Sequence, residues 1–191
     1  MRRRALLASV AVATTSLSGC LGTAYRPVGG DVRSDFGSSH LHLHDDPLVE
    51  GGLGDDNDAQ FHTRLVVSPE TAPTFLQSSD AESPGHLQNR VADADFDSQF
   101  FLLFEARMSH DAAYHVHTRL SPEPNWTGWS TLGIPLETDS ATDVADEYYP
   151  DADELVCTAL YRYESASSPG AAEVTLYDED GRIRAGPLRT D

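Results

Sequence analysis

The chain has 191 residues, enough for one domain with a single core, and its 31 acidic against 13 basic residues give a net charge of −18. That charge repels nucleic-acid phosphates and anionic lipid head groups, which sets DNA and RNA aside as partners. Every basic residue is arginine, so the amine of a P-loop, a Schiff-base enzyme, a pyridoxal phosphate enzyme or a Ser-x-x-Lys acyl enzyme is missing; two cysteines, Cys20 and Cys157, exclude a disulfide scaffold, a cysteine-rich zinc site and an iron–sulfur cluster.

The first residues read as an address. Arg2, Arg3 and Arg4 precede a weakly apolar run from Ala5 to Leu17, too short to span a bilayer, and Leu17-Ser18-Gly19-Cys20 closes it. Leu-Ser-Gly-Cys resembles the lipobox of secreted lipoproteins. The resemblance implies a signal peptide over residues 1–19, cleavage before Cys20, a lipid on its thiol and a protein held at the outer face of the cell membrane by that anchor. The paired arginines resemble a twin-arginine leader, the route that exports folded proteins. Residues 20–39, rich in Gly, Ser, Arg and Pro, read as the lipidated cysteine and a flexible tether, and residues 40–191 as one domain.

Strand patterns follow. Leu41 and Leu43 alternate with His40, His42 and His44; Phe61, Thr63, Leu65 and Val67 alternate with His62 and Arg64. Ser68-Pro69-Glu70 predicts a short helix running to about Gln77. Phe100-Phe101-Leu102-Leu103-Phe104 is apolar on both faces until Glu105 and Arg107, as in a central strand. Tyr114, Val116 and Thr118 alternate with His115, His117 and Arg119. Ser130 to Leu136 forms a strand that Pro135 assigns to an edge. Thr142 to Tyr149 predicts a turn or two of helix, and Leu155 to Tyr163 another strong strand. Val174 to Tyr177 and Arg182 to Arg184 flank Asp180-Gly181, which predicts a type I′ hairpin. The whole predicts an all-β, antiparallel, immunoglobulin-like β-sandwich of about seven strands with one or two short helical turns, with a small barrel as the alternative. His62-Thr63-Arg64-Leu65 and His117-Thr118-Arg119-Leu120, each followed by Ser-Pro-Glu with Val66 and Val67 extra in the first copy, suggest an internal repeat.

Several constellations have ordinary explanations. Asp93, Asp95 and Asp97 begin like a calcium loop, but Ser98 and Phe104 stand where a glycine and an acid belong, so a solvated charge run is the reading. Asp55-Asp56-Asn57-Asp58 reads as an exposed loop, and Gly52-Leu53-Gly54 lacks the third glycine of a dinucleotide loop. Cys157, alternating with Leu155 and Ala159, reads as a buried, inert thiol. Asn125-Trp126-Thr127 is an N-glycosylation sequon at Asn125, and Trp126 with Trp129 reads as an edge-of-core pair.

No catalytic signature is present, so the leading function is a lipid-anchored cell-surface module with an interaction or structural role and no cofactor. The alternative is an exported copper- or zinc-binding protein. In a strand, residues two apart lie about 6.6 Å apart on one side, so His115 and His117 can reach one ion. His42, with His40 or His44 beside it and His62 as a substitute, is expected to face them. A surface hydrolase assembled from scattered Asp, His and Ser ranks third.

Without Arg2, Arg3 and Arg4, 10 arginines face 31 acids, a net charge of −21 where a small domain carries about 2 to 8 in magnitude. Acid excess with no lysine resembles proteins of extremely halophilic archaea. In molar salt the Debye length falls to about 3 Å and self-repulsion is screened. The domain is therefore expected to lose its β signal cooperatively when salt is diluted, as followed by far-UV circular dichroism; a domain equally structured at low salt refutes this.

Overall fold

A computed structural model of the protein describes residues 32–54, 58–76, 84–119, 121–124 and 130–190. Cys20 and the leader, the sequon with Trp126 and Trp129, residues 55–57 and the predicted helix end at Gln77 lie outside them. The described residues form β1 (Arg33–Leu43), β2 (Phe61–Val66), α1 (Pro84–Ala92), β3 (Gln99–Ser109), β4 (Tyr114–Thr118), β5 (Glu123–Pro124), β6 (Thr131–Ser140), α2 (Thr142–Tyr148), β7 (Glu154–Glu164), β8 (Ala171–Tyr177) and β9 (Ile183–Arg189). The architecture is an all-β sandwich. One sheet has the order β1-β7-β3-β2 and is antiparallel throughout; the second has the order β4-β6-β8-β9, with β5 paired to the start of β6.

Side-chain alternation explains how the layers stack. In the second sheet β8 reads as strictly alternating buried and half-buried residues, so Ala172, Val174 and Leu176 face inward and the opposite face meets solvent. The first sheet is covered on both sides. Phe100, Leu102 and Phe104 of β3 and Leu155, Cys157, Ala159 and Tyr161 of β7 enter the core between the sheets. Phe101, Leu103 and Leu160 point the other way, into a second core closed by Leu48, Val49, Phe75 and, from α1, Leu87 and Val91. The sandwich thus carries a third layer over one sheet, which is why β3 and β7 are buried at nearly every position.

Several local expectations are corrected. The first strand starts at Arg33, so residues 33–39, read as tether, pair with β7. Backbone pairing on an edge does not require apolar side chains, and Gly37 is used for close approach: a Cβ there would lie 2.9 Å from the Tyr161 ring. The helix predicted after Ser68 is a single 3₁₀ turn, Pro69–Thr71, because Phe75 leaves it to bridge to Val49; α1 had no predicted counterpart. β6 and β8 run parallel, since the chain crosses to the first sheet as β7 between them. Pro135 lies in an interior strand, not at an edge. Its carbonyl accepts from the Arg119 N–H on the side of β4, so its missing N–H falls where β4 pairing has ended at Leu136 and β5 pairing has not yet begun at Gly133. In the last hairpin the Gly181 N–H donates to the Asp178 carbonyl, which makes Glu179 and Asp180 the central turn residues. Gly181, at φ +77°, is then the left-handed residue of a three-residue loop in place of a type I′ turn. Of the two His-Thr-Arg-Leu segments, the first lies in β2 of the first sheet, and His117 and Thr118 of the second end β4 in the other sheet.

Phe101 is fully buried in the outer core with its ring 6.1 Å from that of Phe96. Phe101→Ala is expected to cost about 3–5 kcal/mol in denaturant unfolding at saturating salt; a cost near zero would deny the third layer.

Candidate functional site

The outer face of the first sheet carries a buried polar row across its middle. There His62 of β2, Glu105 of β3 and Thr158 of β7 lie in one cross-strand row, with Glu105 opposite both others, and His42 of β1 joins the row diagonally. Glu105, Thr158 and His42 have no exposed surface, and an unpaired polar group in such a place costs several kcal/mol. Each therefore has partners. Glu105 Oε2 accepts from the Leu53 backbone N–H at 3.0 Å and meets His62 Nδ1 at 2.7 Å; Glu105 Oε1 meets the Thr158 hydroxyl at 2.9 Å. That hydroxyl is 2.8 Å from His42 Nε2, while His42 Nδ1 faces the carbonyl oxygens of Leu43 at 2.9 Å and Asp46 at 3.1 Å.

The row clamps a loop. Its terminal contacts, Asp46 at one end and Leu53 at the other, belong to the segment 44–54 that lies over the sheet, and Leu48, Val49 and Leu53 of that segment are buried beneath it. Gly52 permits the close approach. A Cβ at this position would stand 2.2 Å from Glu105 Oε2, a distance no side chain tolerates. Beside the row, His44 Nε2 is 3.2 Å from an Arg107 guanidinium nitrogen, and Arg107 also pairs with Glu154 at 3.3 Å. Both His44 and Glu154 line an open acidic cleft of about 780 Å³ at the end of β7, together with Asp45, Tyr148, Tyr149 and Asp153.

The predicted metal ligands are distributed over three places. His42 and His62 meet through Thr158 and Glu105, and His44 joins Arg107. His40 shares their face of β1, where its Nε2 is 2.6 Å from the Ser38 hydroxyl. His115 and His117 belong to the second sheet, His115 Nδ1 3.4 Å from the Ser39 hydroxyl and His117 Nδ1 3.3 Å from Asp139. Inward packing of Leu41 turns His42 away from the second sheet, so His42 does not face His115 and His117. Among the described residues no group of three or more His, Cys, Asp or Glu is placed to hold a metal ion. Of the acidic run, Asp95 accepts from the Asp97 N–H and the Ser98 hydroxyl in an exposed turn.

Burial governs the ionisation of these groups. It lowers the His42 imidazole below its ordinary range, against the opposing pull of the Leu43 carbonyl, the Glu105 charge and Asp46. His115 is lowered for the same reason, opposed by Asp139 and Asp143. Burial pushes the Cys157 thiol up to about 11, with the Ser39 hydroxyl bond pulling the other way, so the thiol is inert as expected.

A hydroxyl hydrogen-bonded to an imidazole whose other nitrogen is held in place has the form of a nucleophile and its base. Here it is sealed beneath the loop, and the hydroxyl is shared with a carboxyl group. The arrangement fastens the loop to the sheet. Glu105, Thr158 and Gly52 were not among the predicted site residues. The available signal was a polar residue in the middle of each strand that is otherwise apolar on both faces. Comparison with protein-family models, with curated proteins and with solved structures gives no match.

Gly52→Ala must displace the Glu105 carboxyl group and loosen the Leu53 hydrogen bond. The expected result is a loss of about 1–3 kcal/mol, with faster hydrogen exchange at the Leu53 amide than at the central amides of β3.

Proposed function

We propose that this chain is an exported lipoprotein, anchored through Cys20 to the outer face of the cell membrane, whose sandwich serves as a non-catalytic interaction or structural module in high salt. One observation carries the non-catalytic part. Among the described residues, the connected set of chemically capable side chains His42, Thr158 and Glu105 has no exposed surface, and His62 at its end is only 15% exposed, which keeps the hydroxyl and the carboxyl group from solvent. The anchor is supported by Leu17-Ser18-Gly19-Cys20 behind the arginine-led leader. Cys157, the other cysteine, is wholly buried, which leaves Cys20 as the thiol for a lipid.

The net charge of −21 argues against adhesion to an anionic membrane by the domain itself, so attachment depends on the lipid. In a halophilic archaeal host, Cys20→Ser should send the protein to the medium or leave its leader uncleaved, while the unaltered chain partitions with membranes and into detergent. Identical processing and fractionation of the two would overturn the anchor.

A further inference from the structure

We propose that the His42–Thr158–Glu105 chain folds around one shared proton, and that this proton locks both ends of the 44–54 loop to the sheet. Two carbonyl oxygens face His42 Nδ1, and a carbonyl can only accept, so Nδ1 carries its hydrogen. A neutral imidazole then has a bare lone pair at Nε2, pointing at the Thr158 hydroxyl from 2.8 Å. On the other side of the same hydroxyl stands Glu105 Oε1, at 2.9 Å, which as a carboxylate oxygen is also only an acceptor. Threonine has one hydrogen to give. With neutral His42 and ionised Glu105, one of the two contacts places lone pair against lone pair in a site without water access.

A single additional proton removes the conflict. Placed on His42 Nε2, it donates to Thr158, which donates to Glu105; placed on Glu105 Oε1, it donates to Thr158, which donates to His42. The two arrangements differ by two short proton hops along the chain, with no displacement of heavy atoms and no change in total charge. The other tautomer, with Nδ1 bare, would set a lone pair against two carbonyl oxygens and solves nothing.

Among the described residues, the hydrogen bonds of the groups that face this chain run elsewhere. From β2, His62 donates to Glu105 Oε2, not to Oε1. From β3, Arg107 is engaged with His44 and Glu154. From β1, His40 meets Ser38. On β7, Cys157 points to the opposite face of the sheet. The loop brings Asp46, whose backbone carbonyl is already one of the two acceptors at Nδ1, together with His44, Asp45 and Glu50.

The sign of the pH dependence follows. Near pH 7.5 an unfolded chain has free His42 mostly neutral and free Glu105 ionised, so the pair binds almost no proton. The folded chain binds one. Stability is therefore greatest on the acid side and falls as pH rises, by up to tenfold in the folding constant per pH unit, until the folded network releases its proton. Glu105→Gln tests this directly, because the amide nitrogen donates toward Thr158 where Oε1 stood and the amide oxygen accepts from Leu53 and His62. It reproduces the protonated form without a titratable group.

Unfolding of the full mature domain is measured from pH 6 to 9 at saturating salt for the native chain, Glu105→Gln and His62→Asn. The native chain and His62→Asn are expected to lose stability toward high pH relative to Glu105→Gln. Parallel profiles for native and Glu105→Gln, or a dependence that disappears only in His62→Asn, overturn the proposal. If Glu105→Gln does not fold, carbon and nitrogen NMR shifts of native His42 and Glu105 at pH 7 decide: an imidazolium or a carboxylic acid upholds the shared proton, and a neutral imidazole beside a carboxylate refutes it.

Discussion

A carboxyl side chain with no exposed surface sits in the middle of β3, which, like β7, is paired on both edges and covered on both faces. Every neighbour of Glu105 is arranged by the need to satisfy it. β2 brings a histidine to one oxygen, β7 brings a hydroxyl to the other, and the loop over the sheet turns a backbone N–H toward it. The residue before that N–H has to be glycine, since any side chain would occupy the position of the carboxyl group. The polar row thus sets the register of the first sheet and the path of the loop together, and a slip of one residue in β2 or β7 would leave acceptors unpaired in a dry site.

The third layer and the polar row depend on each other. The loop closes the outer core with Leu48 and Val49, and its burial excludes water from the row. Water exclusion strengthens each hydrogen bond in the row and makes any missing one costly. A lean core is consistent with this economy. The chain is 39% hydrophobic and strongly acidic, and it concentrates its large apolar residues in β3 and β7, where each can serve one of two cores. Apart from Glu105, the acidic residues of the strands lie at strand ends or on half-buried and exposed positions, and many others belong to loops, α2 and the turn after β8, where water solvates them.

Closure of the row also shapes the functional reading. Histidines whose alternation suggested outward ligands are instead divided by the sheet that carries them: those of β1 and β2 look toward the loop, and those of β4 belong to the other sheet. A strand pattern reports which side a residue takes, but not whether that side faces solvent or a further layer. His42, read as an outward ligand, lies on such a covered face and is entirely buried.

Much of this was legible in order along the chain. Alternation located β2, β4, β7 and β8, and the double-faced apolar run identified β3 as central, because period-two burial is a local property. The inert Cys157 was readable for the same reason. What depended on tertiary structure was contact between distant segments: the strand hidden in the Gly- and Ser-rich stretch from Arg33, the parallel pairing of β6 with β8, the helix α1 and the assembly of His42, Thr158, Glu105, His62 and Gly52 into one row. These residues come from four strands and a loop, and their meeting follows from sheet order and register, which are decided by packing over the whole chain and not by the sequence of any one segment.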